Sequence, residues 1–202
     1  MKYLHVPASE LPIPDDVSRL IDDASARIDN FVATRIDNPL PAFVPCEFTA
    51  VYRVLRSLAA SMQGGCFVEW GAGFGVVATL AAKLGFDAGG IEIQPELVDA
   101  AIDLATDHGA NVAFACGSFV PHDAQDLIDQ TEWPSWLEAG GHDGHDEIEV
   151  DPRDIDLVFA FPWPGESHVI ESIFERVCSP GARLLTWGSI DGACLAQLGH
   201  RE

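Results

Sequence analysis

Residues 66–93, CFVEWGAGFGVVATLAAKLGFDAGGIEI, decide how the rest of the chain is read. Cys66, Phe67 and Val68 make a short apolar run of the kind a fully buried parallel strand needs. Glycines follow at every second position, 71, 73 and 75. Residues 74–84 then carry good helix formers in a helical pattern, and Gly85 stops it as a C-cap. Residues 88–93 read as the next strand, with Glu92 between two isoleucines. The stretch is strand, glycine turn, helix, strand.

Several glycines between a buried strand and a helix mean that something approaches the backbone closely. Only a residue without Cβ leaves that room, and only glycine takes φ > 0 without penalty. The helix that follows points unpaired N–H groups and a positive dipole end into the same gap, so an anionic group is expected there. Glu92 falls at the carboxyl end of the second strand, where an acid can bind ribose hydroxyls.

Dinucleotide-binding folds use G-x-G-x-x-G. In that frame the chain has Gly71, Gly73 and Val76, so the third glycine is absent. The frame present is G-x-G-x-G, with Glu69 two residues before the first glycine. This pattern resembles motif I, acid-x-G-x-G-x-G, of the class I (seven-strand, Rossmann-like) S-adenosylmethionine-dependent methyltransferases. Glu92, 23 residues beyond Glu69, stands where that family carries its second acid. The resemblance implies S-adenosyl-L-methionine as cofactor. It places Glu69, Gly71, Ala72, Gly73 and Gly75 around the methionine moiety, Glu92 on the ribose, and Ile93, Ser118 and Phe119 around adenine. Ser118 stands where the family usually has an acid. Without the resemblance, the same residues read as a glycine-rich turn in an ordinary α/β domain.

A chain of 202 residues suits one α/β domain with a substantial core. It contains no run of about 18 apolar residues, so no membrane-spanning helix is expected. The first residues, MKYLHVPASELPIP, lack the apolar core of a secretory signal. Five cysteines, scattered and with no C-x-x-C, indicate neither a zinc site nor a disulfide framework. A reducing cytoplasm fits. With 32 acidic and 11 basic residues the net charge is −21, which repels polyanions at long range. Nucleic-acid substrates are disfavoured on this ground, and a small-molecule or basic protein acceptor is compatible.

Two segments are distinguished, an N-terminal arm and helix over 1–45 and a Rossmann-like domain over 46–202. Pro7, Pro12 and Pro14 mark the arm as extended, and Asp15 and Asp16 are placed to cap a helix over 17–35. Pro39, Pro41 and Pro45 break that pattern, and 47–62 reads as a second helix. Pro95 suits the first turn of a third helix running to His108, and 112–116 is the next strand. Over 123–130 a helix is expected, with Trp133 and Trp136 anchoring the loop after it. The segment AGGHDGHDEIEVDPRD over 139–154 holds His142, Asp143, His145, Asp146 and Glu147. Ligands so crowded on one loop rarely close a metal site without a second, rigid source, so a solvated loop and no metal are expected.

Residues 155–161, IDLVFAF, form a continuous apolar run typical of a sheet centre. The loop beyond it, with Phe161, Pro162 and Trp163, lies on the ligand-facing edge by the carboxyl-end rule and supplies the candidate substrate pocket. Amino-methylating relatives carry Asn/Asp-Pro-Pro-aromatic here. Phe161 cannot accept from a target amine as that first side chain does, which argues against adenine-N6 or cytosine-N4 methylation. A helix over 167–177 and a strand over 182–187 follow. The short turn after Trp187 requires an antiparallel neighbour for the last strand, 193–198. The expected fold is a three-layer α/β sandwich on a mostly parallel, doubly wound sheet. Six strands are expected, with the last antiparallel and the family's sixth strand missing.

No catalytic residue is assigned; Glu47, His122, Glu166 and His168 are candidate general bases by location alone. The leading reading is a cytoplasmic methyltransferase acting on a small molecule or protein. The GFGVV turn and the aromatic-proline loop also resemble seven-strand histone-lysine methyltransferases, over a few residues. A non-catalytic module that binds S-adenosylmethionine or S-adenosylhomocysteine is the alternative. A nicotinamide-dependent oxidoreductase is disfavoured by Val76.

Overall fold

The computed structural model describes residues 1–35, 44–129, 137, 142–188 and 192–199. In chain order these form β1 (Lys2–Leu4), α1 (Asp15–Ala33), α2 (Phe48–Met62), β2 (Cys66–Trp70), α3 (Val76–Lys83), β3 (Asp87–Glu92), α4 (Pro95–Asp107) and β4 (Val112–Cys116). Then come the short helices α5 (Asp126–Asp129) and α6 (Gly144–Glu147), followed by β5 (Leu157–Ala160), α7 (Ser167–Val177), β6 (Arg183–Gly188) and β7 (Gly192–Gln197). Pro39, Pro41, Trp133 and Trp136 lie outside the described residues.

The sheet order is β1-β7-β6-β5-β2-β3-β4. Strands β2 to β6 pair in parallel, and β7 runs antiparallel to β6, with Trp187 opposite Ala193. The last strand thus sits where the short connection places it. The strand count differs from the expected six. The seventh is β1, which pairs antiparallel with β7, Lys2 opposite Gln197 and Leu4 opposite Leu195. Three residues with two exposed side chains show no alternation to read, so this segment looked like part of a proline-marked arm. Running parallel to β6 outside the antiparallel strand, β1 holds the edge that a sixth strand would otherwise fill.

Alternating side chains of the central strands feed two cores. Phe67, Leu157, Phe159 and Leu185 face α1 to α4, joining Leu20, Leu55, Leu80 and Leu104. Val68, Trp70, Val158 and Leu184 face the other way, against Ile170, Ile173 and Phe174 of α7. The result is the expected three layers. Helix α1 contributes Val17, Leu20, Ala24 and Ile28 to the first core. Asp15 and Asp16 lie in its first turn and Pro14 at its cap, so they act on the helix dipole without a capping bond. Among the described residues no helix is long and apolar enough to cross a membrane.

Candidate functional site

Two strands leave the centre of the sheet side by side, β2 ending at Trp70 and β5 at Ala160. From β2 the chain winds out through β3 to β4, and from β5 it winds the other way through β6. Their carboxyl ends mark the topological switch point, where open α/β sheets bind ligands. A cleft of about 270 Å³ opens there. Its wall includes Gly71, Ala72 and Gly73 after β2, Glu92 and Ile93 at the end of β3, and Ser118 and Phe119 beyond β4. Phe161, Pro162 and Trp163 close the side beyond β5. These segments, separated by up to about a hundred residues in sequence, meet because the parallel strands all point the same way.

The glycine turn is pinned to β3. The N–H groups of Gly71 and Ala72 both donate to the Ile91 carbonyl, at 2.9 and 3.0 Å, and Gly75 N–H donates to Ala72 at 2.7 Å. Gly71 and Gly75 adopt φ of 73° and 63°, yet glycine serves different ends at the two places. A Cβ at Gly71 would meet no atom of the described residues within 4 Å. A Cβ at Gly75 would lie 2.4 Å from Phe114 Cζ and 2.8 Å from Ala101 Cβ, so that glycine lets α3 settle on β4 and α4. Gly75 is not part of the cleft wall, unlike the other candidate site residues.

Glu92 is 9% exposed and held from two sides. Its Oε2 accepts Gly73 N–H at 2.8 Å, and its Oε1 accepts Gln94 N–H at 2.9 Å. Burial pushes the carboxyl above its ordinary value, against the pull of these backbone donors. Each oxygen keeps acceptor capacity for a further donor in the cleft. Glu69 is buried and accepts the N–H of Ala78, in the first turn of α3, at 2.7 Å. Burial, with the Glu92 charge adding to it, holds the Glu69 carboxyl well above the usual carboxylate range. The acceptor at the start of that helix is therefore this carboxyl of the protein itself.

Ser118 stitches a distant segment to the end of β4. Its N–H donates to His142, its carbonyl accepts from Gly144, each at 2.9 Å, and its Oγ accepts Val120 N–H at 3.0 Å. The segment expected as a solvated loop is thereby anchored: His145 is only 1% exposed within α6, while His142, Asp146 and Glu147 face solvent as expected. Trp70 Nε1 donates to His145 Nε2 at 3.1 Å, and the Trp70 ring stacks on Phe119 with centroids 5.1 Å apart. Burial pushes the His145 ring below its ordinary value. Trp70 also lines the cleft and was not among the sequence candidates; its partner lies 75 residues away, and no periodicity connects them. Among the described residues no group of three or more His, Cys, Asp or Glu is arranged to hold a metal ion.

Of the candidate bases only Glu166 lines the cleft, 7% exposed, with its Oε2 accepting Trp163 N–H at 3.3 Å. Glu47, His122 and His168 are exposed and lie outside its wall. Glu69, Glu92 and Glu166 give the cleft three carboxyl groups, and among the described residues no Lys, Arg or His lines it. Cys46, also on the wall, has its thiol pushed up by burial and stays uncharged at neutral pH.

No protein-family model matches the chain, and no curated protein matches its sequence. Solved structures do resemble it in fold. An RNA methyltransferase from Salinibacter ruber, solved with S-adenosyl-L-homocysteine, superposes with a TM-score of 0.54 at 19% identity, over 79% of this chain and 96% of its own. A methyltransferase from Geobacter sulfurreducens gives 0.51 at 18% identity, over 88% and 75%. The O-methyltransferase TomG from Streptomyces achromogenes, solved with S-adenosylmethionine, gives 0.50 at 14% identity, over 88% and 66%. The chain has the Rossmann-like fold of these methyltransferases.

Proposed function

We propose that this protein is an S-adenosylmethionine-dependent methyltransferase that acts on a small-molecule or basic protein acceptor. The observation that carries the reading is the charge of the cleft. Three carboxyl groups and no basic side chain among the described residues favour a cationic ligand and oppose a pyrophosphate. The backbone donors that would cradle a dinucleotide point elsewhere. Gly73 and Ala78 give their N–H groups to Glu92 and Glu69, and Gly71 and Ala72 give theirs to Ile91. The nicotinamide reading loses its phosphate site as well as its third glycine.

The residues present suit the cofactor. The space over Gly71, which a Cβ would enter, admits close approach to the backbone. Glu92, fixed by two backbone donors, would take ribose hydroxyls on its remaining lone pairs. Ile93, Ser118 and Phe119 would flank the adenine, and Phe119 is held in place by Trp70. Glu69 lines the same cleft, its carboxyl tied to Ala78 at the start of α3. When bound, S-adenosylmethionine supplies an electrophilic methyl group on a sulfonium. The chain then contributes position and exclusion of water, which lower a barrier by about 7–11 kcal/mol in favourable cases without a dedicated acid or base. Phe161 and Trp163 wall the side from which an acceptor approaches.

Calorimetry with S-adenosylmethionine, S-adenosylhomocysteine and NAD tests the reading. Binding of the first two and none of NAD is expected; the reverse, or no binding of any, overturns it. Transfer of labelled methyl to cell extract then separates an enzyme from a module that only binds.

A further inference from the structure

Methyl transfer needs donor and acceptor atoms about 3–3.5 Å apart and in line, so the acceptor's cavity must adjoin the cofactor's. A second cavity, of about 430 Å³, opens between α1, the start of α2 and the ends of β5 and β6. It shares Ile28, Val44, Pro45, Cys46, Phe48 and Phe161 with the cleft. The cavities bordered by Asp151 and by Pro180 share no wall residue with the cleft.

The chemistry of this second wall is divided. Phe48, Phe161 and Trp187 offer aromatic surface, extended by Ile21 and Ile28. Asp29 and Glu47 are exposed and are its two charged residues among those described, and Glu47 makes no capping bond to the helix it precedes. Among the described residues no basic side chain lines it. A ligand with an apolar body and an ammonium head gains on both counts, from area removed from water and from aromatic faces and carboxylates around the charge. A carboxylate or phosphate would meet like charge in a protein already at −21.

We propose that this cavity is the acceptor site and that it takes a small arylalkyl amine; the assignment rests on the cofactor reading above. The ammonium gives a proton to water at the open rim. The amine lone pair then forms the N–CH3 bond as the S–CH3 bond breaks, and the bonding pair stays on sulfur. Asp29 and Glu47 draw the charged head to the rim before transfer and again after it, and the neutral amine reaches the sulfonium across the wall that the two cavities share.

Calorimetry on the protein saturated with S-adenosylhomocysteine decides the matter, using phenethylamine, 2-phenylethanol and phenylacetate as matched probes at pH 7.5. The amine is expected to bind at least tenfold tighter than the alcohol, and phenylacetate more weakly than either. The double variant Asp29→Asn, Glu47→Gln should bring the amine to the level of the alcohol while leaving S-adenosylhomocysteine affinity unchanged. Equal binding of the three probes, or a preference that survives the double variant, overturns the assignment. So does a lysine-containing peptide that binds tighter than phenethylamine. If S-adenosylhomocysteine fails to bind, the cofactor reading falls, and the same three-probe comparison on the unloaded protein still decides the cavity.

Discussion

The indole Nε1 of Trp70 donates to Nε2 of His145 at 3.1 Å, deep behind the wall of the cleft. An indole nitrogen only donates, so His145 must accept at Nε2 and carry its proton on Nδ1, 3.1 Å from Asp143 Oδ1. A protonated ring would set donor against donor.

Stability should therefore fall as pH drops below about 6.5, the ordinary value for histidine. The native ring resists protonation because burial lowers its pKa, while the unfolded ring takes the proton. More protons bound in the unfolded state means stability lost on acidification, from that pH down to the lower native value. His145→Phe leaves the buried indole N–H without its acceptor, at a cost of about 1–3 kcal/mol near pH 7.5. Urea midpoints of both proteins between pH 7.5 and 5.5 check this, and the gap between them should narrow toward the acid end.

Glu69 has the opposite sign. Its carboxyl is held above the ordinary value, so its native form favours the proton. The stability it contributes is fully present below about pH 4.5 and is lost as pH rises through its native pKa. Glu69→Gln keeps an oxygen for the Ala78 N–H and cannot ionise. The variant should match wild type near about pH 4.5 and gain on it as pH rises through the native value of Glu69. Urea midpoints of both proteins across the alkaline range test this.

Glu92→Gln puts an amide between two backbone donors that now share a carboxylate. One of them must then face an NH2 group, and hydrogen bonds to a charged partner are worth about 1.5–3 kcal/mol. Affinity for S-adenosylhomocysteine should drop at least tenfold, read directly by calorimetry.

The glycines at 71 and 75 should respond differently to alanine. Both sit at left-handed φ, which costs an alanine about 1–2 kcal/mol. At Gly75 the new methyl also runs into Phe114 and Ala101, adding about 1–3 kcal/mol of overpacking. Gly71→Ala enters open space at the cleft and should weaken cofactor binding more than folding. Urea denaturation and calorimetry on the two variants separate these outcomes.

Much of the sheet and of the cleft was legible in residues 66–93 and 155–161. Buried parallel strands must be continuous apolar runs, and a backbone that needs left-handed turns must use glycine. The site's outline followed, because the carboxyl ends of such strands converge. What stayed hidden depends on partners far away in sequence. Gly75 looked like a ligand contact, but only the positions of Phe114 and Ala101 reveal why no side chain fits there. Glu69 looked like a ligand for the cofactor, and its bond to Ala78 appears only once α3 is placed. His145 looked solvated among its acidic neighbours, since nothing local announces that Trp70 and Ser118 close over its segment.

Strand β1 pairs with β7, so residues 2–4 find their neighbour only once residues 192–197, about 190 positions further along and the widest separation of any strand pair among the described residues, have left the ribosome. Until then the nascent arm has no ladder to join. Sealing this margin of the sheet closes a long loop, and loss of either segment would leave the other as an open template for a second molecule.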